Sequence, residues 1–550
     1  MLLTAAIDSK SLGNKQLFTG LNLTIGNDEK VAIIGRNGAG KTTLLRMLTG
    51  EDADFTGTIL RRHGARIVAT RQEHHELGDQ SIITYILHNL PEYERLQAII
   101  DTYPDTMGDD MRKITAYSEA LERFARLDYY TVEDRVRKSL IAYQLVPDHA
   151  MQSLSGGQKR FVELVRIEHS AADLALIDEP TNHMDYVAKA AFLEWFAGVK
   201  HAVVVITHDR DLLRKVSRII EIKDYTAVNF PGNYDAYLRQ NTARTANELA
   251  EYETTQRRIE NVKKQIQAAR AKKAGASAGG GKNNPFVIIE NRLLKELAGL
   301  QAQERPSFWI DQESATTLKP QMSESYEKHK ARTIHIRRLP GHERQRELIT
   351  LDSVTVGYGT PLFAPLSCRI LTGDRIRLVG RNGAGKTTLV RTITDAANGQ
   401  SAPTLLGGTI HCDTRLRINT YEQEIADQLL PMTLAQAIEH LYGMYGLPAS
   451  NEQIMRALSE YLFDPYEDRD QLVRHLSGGQ KARLQLIKLF ANDPNLIILD
   501  EPTNHLDLPS IEELEAALEQ YQGALLYISH DSYLAARLGG GTIPIGSNST

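Results

Sequence analysis

The sequence predicts an α/β fold laid down twice in tandem, with a long α-helical linker between the copies. Three observations carry that expectation. Four motifs recur in the same order in both halves: "GRNGAGKTT" from Gly35 and Gly380, "LSGGQK" from Leu154 and Leu476, "DEPTNH" followed by Met-Asp or Leu-Asp from Asp178 and Asp500, and "ITHD" or "ISHD" from Ile206 and Ile528. A β-branched apolar run enters each glycine-rich loop and a helix-forming run leaves it, as in "KVAIIGRNGAGKTTLLRML" and "RIRLVGRNGAGKTTLVRTI". Between the copies lies "QRRIENVKKQIQAARAKK", basic and helix-forming, in a chain whose net charge is -5.

At 550 residues the chain exceeds a single core, and 42% hydrophobic with 24% charged residues is ordinary for a globular protein. No apolar run reaches the roughly 18 residues of a membrane span. The start, "MLLTAAIDSK", lacks the basic and apolar regions of a secretory signal. Two cysteines, Cys368 and Cys412, cannot build a disulfide framework or a cysteine metal site, so a reducing cytoplasmic location is expected.

In order along each half, the first element is a phosphate cradle. The glycines of G-x-x-x-x-G-K-[ST] let backbone N–H groups face phosphate oxygens, the following helix offers its positive end, and the lysine neutralises charge. Gly35, Asn37, Gly38, Gly40, Lys41, Thr42 and Thr43 form the first loop; Gly380, Asn382, Gly383, Gly385, Lys386, Thr387 and Thr388 form the second. The Thr42 and Thr387 hydroxyls are placed to meet Mg²⁺.

Between this loop and "LSGGQ" the first half is roughly 23 residues longer than the second. The excess falls in "HNLPEYERLQAIIDTYPDTMGDDMRKITAYSEALERFARLDYY", which reads as two helices broken at "TYPDTMGDD", a helical arm over about 88–130. An enlarged subdomain with no partner is the alternative. Ser155, Gly156, Gly157 and Gln158, and likewise Ser477, Gly478, Gly479 and Gln480, open a helix and so make a second anion-binding terminus. It has no lysine of its own and needs the cradle of the other half to complete a site.

Buried strands "LALIDE" and "LIILDE" deliver Asp178 and Asp500 to their carboxyl ends to hold Mg²⁺ directly or through water. The adjacent Glu179 and Glu501 are placed to orient or deprotonate a water, and His208 and His530, after another apolar strand, can reach a γ-phosphate.

In the linker, Tyr252, Thr255, Ile259, Val262, Ile266 and Ala269 repeat at helical spacing, predicting a helix from Thr242 to Lys273. After the glycine-rich "AGASAGGGKNN", Ile289, Leu293, Leu297 and Leu300 predict a returning helix. Arg257, Arg258, Lys263, Lys264, Arg270, Lys272, Lys273 and Lys282 are the linker's candidate contacts to a polyanion, which clustered cations suit; a solvated charged coiled coil is the alternative. Phe308 and Trp309 are expected to pack between linker and second domain, with stacking on a base as the alternative.

Phosphate loop, a glutamine after a strand (Gln72 in "RIVATRQE", Gln423 in "RINTYEQE"), LSGGQ, "DE" and histidine, twice in that order, resemble the ATP-binding cassette (ABC) ATPases. "EPTNH-[ML]-D" and the lack of a membrane domain narrow the resemblance to the ABC-F family. It implies two tandem P-loop ABC ATPase domains, 1–240 and 346–550, joined by a coiled-coil hairpin linker over 241–345 with a basic tip near 270–285. It further implies a monomer whose cassettes sandwich two ATP with Mg²⁺, with Gln72 and Gln423 reaching nucleotide and metal. Lys41, Thr42, Gln72, Asp178, Glu179 and His208 would face Ser477 and Gly479; Lys386, Thr387, Gln423, Asp500, Glu501 and His530 would face Ser155 and Gly157. Adenine would stack on Tyr358 in the second half, where the first half offers only Leu12.

The partner implied is the 70S ribosome, with the arm near the E site and the linker toward P-site tRNA, 23S rRNA and the peptidyl-transferase centre. The role implied is translation factor or antibiotic-resistance protection protein, and a branched-DNA role is the competing reading. Relatives with that DNA role tend to carry a further C-terminal coiled coil, whereas this sequence runs about twenty residues past His530. A transporter ATPase would not need the fused twin with a basic spike. A chromosome-maintenance ATPase would place its coiled coil inside one cassette, and an iron–sulfur relative would need more cysteines.

Overall fold

A computed structural model describes residues 1–13, 15–71, 79–275, 285–301, 346–422, 425–504 and 506–546. The chain divides into two units, Met1–Tyr234 with Ile334–Thr550, and Asp235–Thr333.

The first unit holds both cassettes. In the first, an antiparallel sheet of Lys15–Ile25, Leu3–Leu12 and Thr56–Arg61 shares a core with a second sheet. That sheet is ordered Ile67–Ala69, Leu174–Asp178, Ala202–Ile206, Lys30–Gly35, Arg218–Lys223, Thr226–Pro231, parallel except for its last strand. Every residue of Leu174–Asp178 and Ala202–Ile206 is buried. Such unbroken apolar runs belong to parallel strands covered on both faces, and their carboxyl ends gather the chemistry at one edge. Phe18, Leu44, Leu48, Leu176 and Val204 fill the space between the sheets.

The second cassette repeats this plan. Glu347–Tyr358 pairs antiparallel with Leu366–Leu371 and Leu405–Cys412, beside a parallel sheet ordered Ile418–Tyr421, Leu496–Asp500, Ala524–Ile528, Arg375–Val379, Gly541–Pro544.

The first half has an extra helical pair, Tyr93–Thr106 and Met111–Arg126. Its base is pinned by Tyr93, Phe124 and Tyr129, whose ring centroids lie 5.4 to 5.6 Å apart, and by an Arg123–Glu92 ion pair at 2.7 Å. The break lies at residues 107–110, the second half of the "TYPDTMGDD" stretch. Pro104 sits in the last helical turn, where it removes one donor without ending the helix, and Met107 N–H still donates to the Tyr103 carbonyl at 2.8 Å.

Within the second unit the first linker helix belongs to Tyr234–Gly275, 42 residues and about 63 Å at about 1.5 Å per residue. It begins at Tyr234 rather than Thr242 because no glycine or proline interrupts the chain until Gly275. Ile259, Val262, Ile266 and Ala269 are buried along one seam. The return helix is Pro285–Gln301, and Arg258–Glu296 at 2.6 Å and Arg270–Glu290 at 2.7 Å pair the two helices antiparallel. Ile289 does not join the seam: it is 46% exposed, and Glu290, one helical turn before Leu293, is buried in its place with Arg270 as counter-ion. The residues between the helices, with Lys282, and the segment holding Phe308 and Trp309 lie outside the described residues, as do the side chains of Lys272 and Lys273.

Candidate functional site

Each phosphate loop leaves its strand and turns into a helix, Lys41–Thr49 or Lys386–Ala397, through a glycine N-cap in the left-handed region, Gly40 at φ 92° and Gly385 at φ 96°. A side chain at Gly40 would also strike Phe18, whose ring lies 2.7 Å from an ideal Cβ position. Lys41 Nζ donates to the Gly35 carbonyl at 2.7 Å and to that of Arg36 at 3.2 Å; Lys386 Nζ does the same to Gly380 at 2.7 Å and Arg381 at 3.0 Å. Both ammonium groups are buried, and burial lowers their pKa values. A desolvated cation there gains most from a phosphate anion.

Beside each lysine the threonine hydroxyl meets the strand-end aspartate: Thr42 Oγ1 to Asp178 Oδ2 and Thr387 Oγ1 to Asp500 Oδ2, both 2.8 Å. Among the described residues no group of three or more His, Cys, Asp or Glu side chains gathers for a metal. The hydroxyl–carboxylate pair fits instead an ion of the Mg²⁺ kind, which takes few protein ligands and shares its shell with substrate phosphates.

Glu179 and Glu501 follow those aspartates with backbone in the left-handed region, φ 42° and 46°, a costly setting for non-glycine residues that is concentrated at functional sites. Their N–H groups donate to Ile206 and Ile528 at 2.9 Å, fixing the twist to the neighbouring strand. His208 Nε2 lies 3.5 Å from Glu179 and His530 Nε2 lies 3.3 Å from Glu501. Burial pushes the Glu179 carboxyl up to about 8 and Glu501 up to about 7, while burial, helped by Lys41 and Lys386, drives His208 down to about 3 and His530 to about 4. Among the described residues the buried atoms His208 Nδ1 and Nε2, His530 Nε2, Glu501 Oε1 and Asn504 Nδ2 have no hydrogen-bond partner. Orphaned donors and acceptors converging beside a phosphate loop fit a polar ligand that completes them.

These shifts set a pH dependence for the nucleotide-free protein. A histidine whose folded pKa is depressed makes stability rise with pH until its unfolded value of 6.5 is passed; a glutamate whose folded pKa is raised makes stability fall between 4.5 and its folded value. The two groups oppose each other between 4.5 and 6.5, and from 6.5 to about 8 only the glutamates act. The melting temperature is therefore expected to fall across pH 6.5 to 8, and a Glu179→Gln, Glu501→Gln variant to flatten that fall; thermal melts at constant ionic strength check it.

The two halves complete each other. Asn37 N–H, in the first phosphate loop, donates to Asp507 of the second half at 2.9 Å, and Asn382 N–H donates to Asp185 of the first at 3.0 Å. Asn37 Nδ2 lies 2.4 Å from an ideal Cβ position on Gly478, and Asn382 Nδ2 lies 3.7 Å from that on Gly157. Each phosphate loop thus faces the signature of the opposite half. Ser155 and Ser477 are N-caps of Gly156–His169 and Gly478–Phe490, and the carbonyl oxygens of Gln158 and Gln480 accept from those serine N–H groups in capping boxes. A cleft of about 620 Å³ runs from Leu12 and Lys15 past Lys41, Thr42, Thr43, Glu179 and His208 to Glu501 and His530, ample for a nucleotide.

Leu12 borders this cleft, while Tyr358 ends its strand 72% exposed. Gln72 and Gln423 lie outside the described residues. Asp185 and Asp507 are the functional residues that motif reading passes over. They are the last letters of the duplicated "DEPTNH-[ML]-D", and a carboxylate N-capping the next helix was the available signal. Of the linker cations, Arg258 and Arg270 are engaged with Glu296 and Glu290, and Arg257 lies 3.7 Å from Glu253. Among the described residues Lys263 and Lys264 are exposed and form no ion pair.

Comparison with known proteins agrees with this geometry. A family model described as ABC transporter matches residues 18–182 and 363–504, and an extension model of the same description matches 220–282. Among curated relatives, the putative ATP-binding protein YdiF of Bacillus subtilis is 29% identical, covering 96% of this chain and 78% of its own length. The ATP-binding protein Uup of Escherichia coli is 29% identical over 95% of this chain and 76% of its own. Among solved structures, the archaeal ribosome recycling factor aABCE1, in complex with the ribosomal stalk protein aP1, has a TM-score of 0.56 at 16% identity, covering 99% of this chain and 87% of that one, a likeness of fold. Among the described residues no helix is long and apolar enough to cross a membrane. With two ATP-binding cassettes in one polypeptide, separated by a helical linker, the chain belongs to the ABC-F family of ABC ATPases.

Proposed function

We propose that this protein is a cytoplasmic ATPase that closes its cassettes over two ATP, binds the 70S ribosome in that closed form, and leaves after hydrolysis. The observation that carries this reading is the placement of each phosphate loop against the signature of the other half, which makes nucleotide binding and cassette closure one event. Lys41 and Lys386 hold the phosphates; Glu179 and Glu501, raised toward neutrality, take a proton from the attacking water; neutral His208 and His530 orient the reacting group. Thr42 with Asp178, and Thr387 with Asp500, would hold a Mg²⁺ ion, which would supply neutralisation of phosphate charge.

The ribosome as partner is supported by the basic linker and by the likeness of fold to a ribosome recycling factor. Translation factor and antibiotic-resistance protection are both compatible with this binding mode. Lys263 and Lys264 are placed to meet RNA phosphates of P-site tRNA or 23S rRNA. A Lys263→Glu, Lys264→Glu variant is expected to weaken 70S binding and to reduce the salt slope by about 1 for each phosphate it no longer neutralises. Unchanged affinity and slope for ribosomes, with loss of binding to branched DNA, would replace the ribosomal reading by the DNA one.

A further inference from the structure

The two sites are alike at their phosphates and unlike where the cassettes meet. Arg210, two residues after His208, crosses to the second cassette, where Nη1 and Nη2 donate to Glu515 at 2.8 and 3.4 Å. Its guanidinium also lies 5.0 Å from the centre of the Tyr533 ring, and Glu515 takes a further bond from Arg537 at 2.7 Å. Arg210 is 8% exposed and Glu515 is fully buried. Glu515 stands on the helix Leu508–Gln520, whose N-cap Asp507 accepts the Asn37 N–H of the first phosphate loop. The histidine loop on one side of the first site is thus tied to the helix that caps its other side.

The counterpart positions lack this tie. Ser532 follows His530 where Arg210 follows His208, and Leu193 stands fifteen residues after Asp178 where Glu515 stands fifteen after Asp500. Ser532 donates to Asp211 at 2.9 Å, a single bond between one hydroxyl and a half-exposed carboxylate. A bidentate pair out of water holds geometry more firmly than that.

We infer that Arg210 and Glu515 are positioning residues for the first nucleotide site alone, coupling His208 to Asp507 across the interface so that closure sets hydrolysis at Lys41 and Glu179 differently from hydrolysis at Lys386 and Glu501. The inference rests on the ATPase reading. Removing one partner would strand a buried charge, so both are replaced by the residues of the other site, Arg210→Ser with Glu515→Leu; Arg537 keeps Glu519 at 3.1 Å.

ATP turnover is measured with the second site silenced by Glu501→Gln, and separately with the first silenced by Glu179→Gln. The exchange is expected to lower kcat about tenfold in the Glu501→Gln background, with less than about twofold change in the Glu179→Gln background. Should the double exchange not fold, Arg210→Lys keeps the charge and loses the fork, and the same background-selective fall, smaller in size, is expected. An equal fall in both backgrounds, or none in either, overturns the inference. Absence of ATP turnover by the unmodified chain would instead overturn the ATPase reading, and this inference with it.

Discussion

Replacing both strand-end glutamates, Glu179→Gln with Glu501→Gln, is expected to slow ATP hydrolysis by about 10²- to 10⁴-fold, the range a positioned base contributes, while leaving ATP binding within about threefold. Two features set this size. Each carboxyl is buried beside an aspartate that pairs with a threonine hydroxyl, so it is desolvated enough to hold a proton near neutral pH. Each is also aimed by backbone held in the left-handed region and bonded to the neighbouring strand, which the isosteric glutamine inherits. Steady-state turnover and nucleotide titration separate the two quantities. Equal loss of binding and turnover would mean that the glutamates hold the site together rather than serve as bases.

The second large effect is steric. Gly478 opens the signature helix of the second cassette with Asn37 of the opposite loop 2.4 Å from where a Cβ would stand. Gly478→Asp therefore places a side chain, and a negative charge, in the seam that closure must shut, at the helix terminus meant for phosphate. Turnover with the second site silenced is expected to fall about 10²-fold or more, the scale of losing preorganised donors, with the melting temperature of the open protein little changed. The corresponding change at Gly156, where the nearest atom to an ideal Cβ position is the His183 Cβ at 3.8 Å, is expected to cost less. Equal effects at the two glycines would show that the seam closes more symmetrically than these distances indicate.

Much of this was legible in the sequence because the chain is written twice. Duplicated motifs placed Lys41, Thr42, Asp178, Glu179 and His208 with their counterparts, and the geometry brings each group together at the carboxyl ends of parallel strands. Periodicity located the seam of the long helix through Ile259, Val262 and Ile266, but not its start, since a helix without glycine or proline runs back to Tyr234. It also misplaced Ile289: spacing sees apolar letters, and a buried Glu290 answered by Arg270 is apolar to no scale. Charge counting treated every linker cation alike, whereas Arg258 and Arg270 are committed to acids of the returning helix. Pairings between halves, such as Asn37 with Asp507 and Arg210 with Glu515, have no local signature; they join residues hundreds of positions apart that only the fold brings together.

On the proposed function, closure of the two nucleotide sites and engagement of the ribosome are one event. Co-sedimentation of the Glu179→Gln, Glu501→Gln protein with 70S ribosomes, with ATP and without it, tests this most directly. Stable, ATP-dependent retention in the ribosomal pellet is expected, because closed cassettes cannot reopen by hydrolysis. Retention independent of ATP, or none despite measured ATP binding, would contradict it.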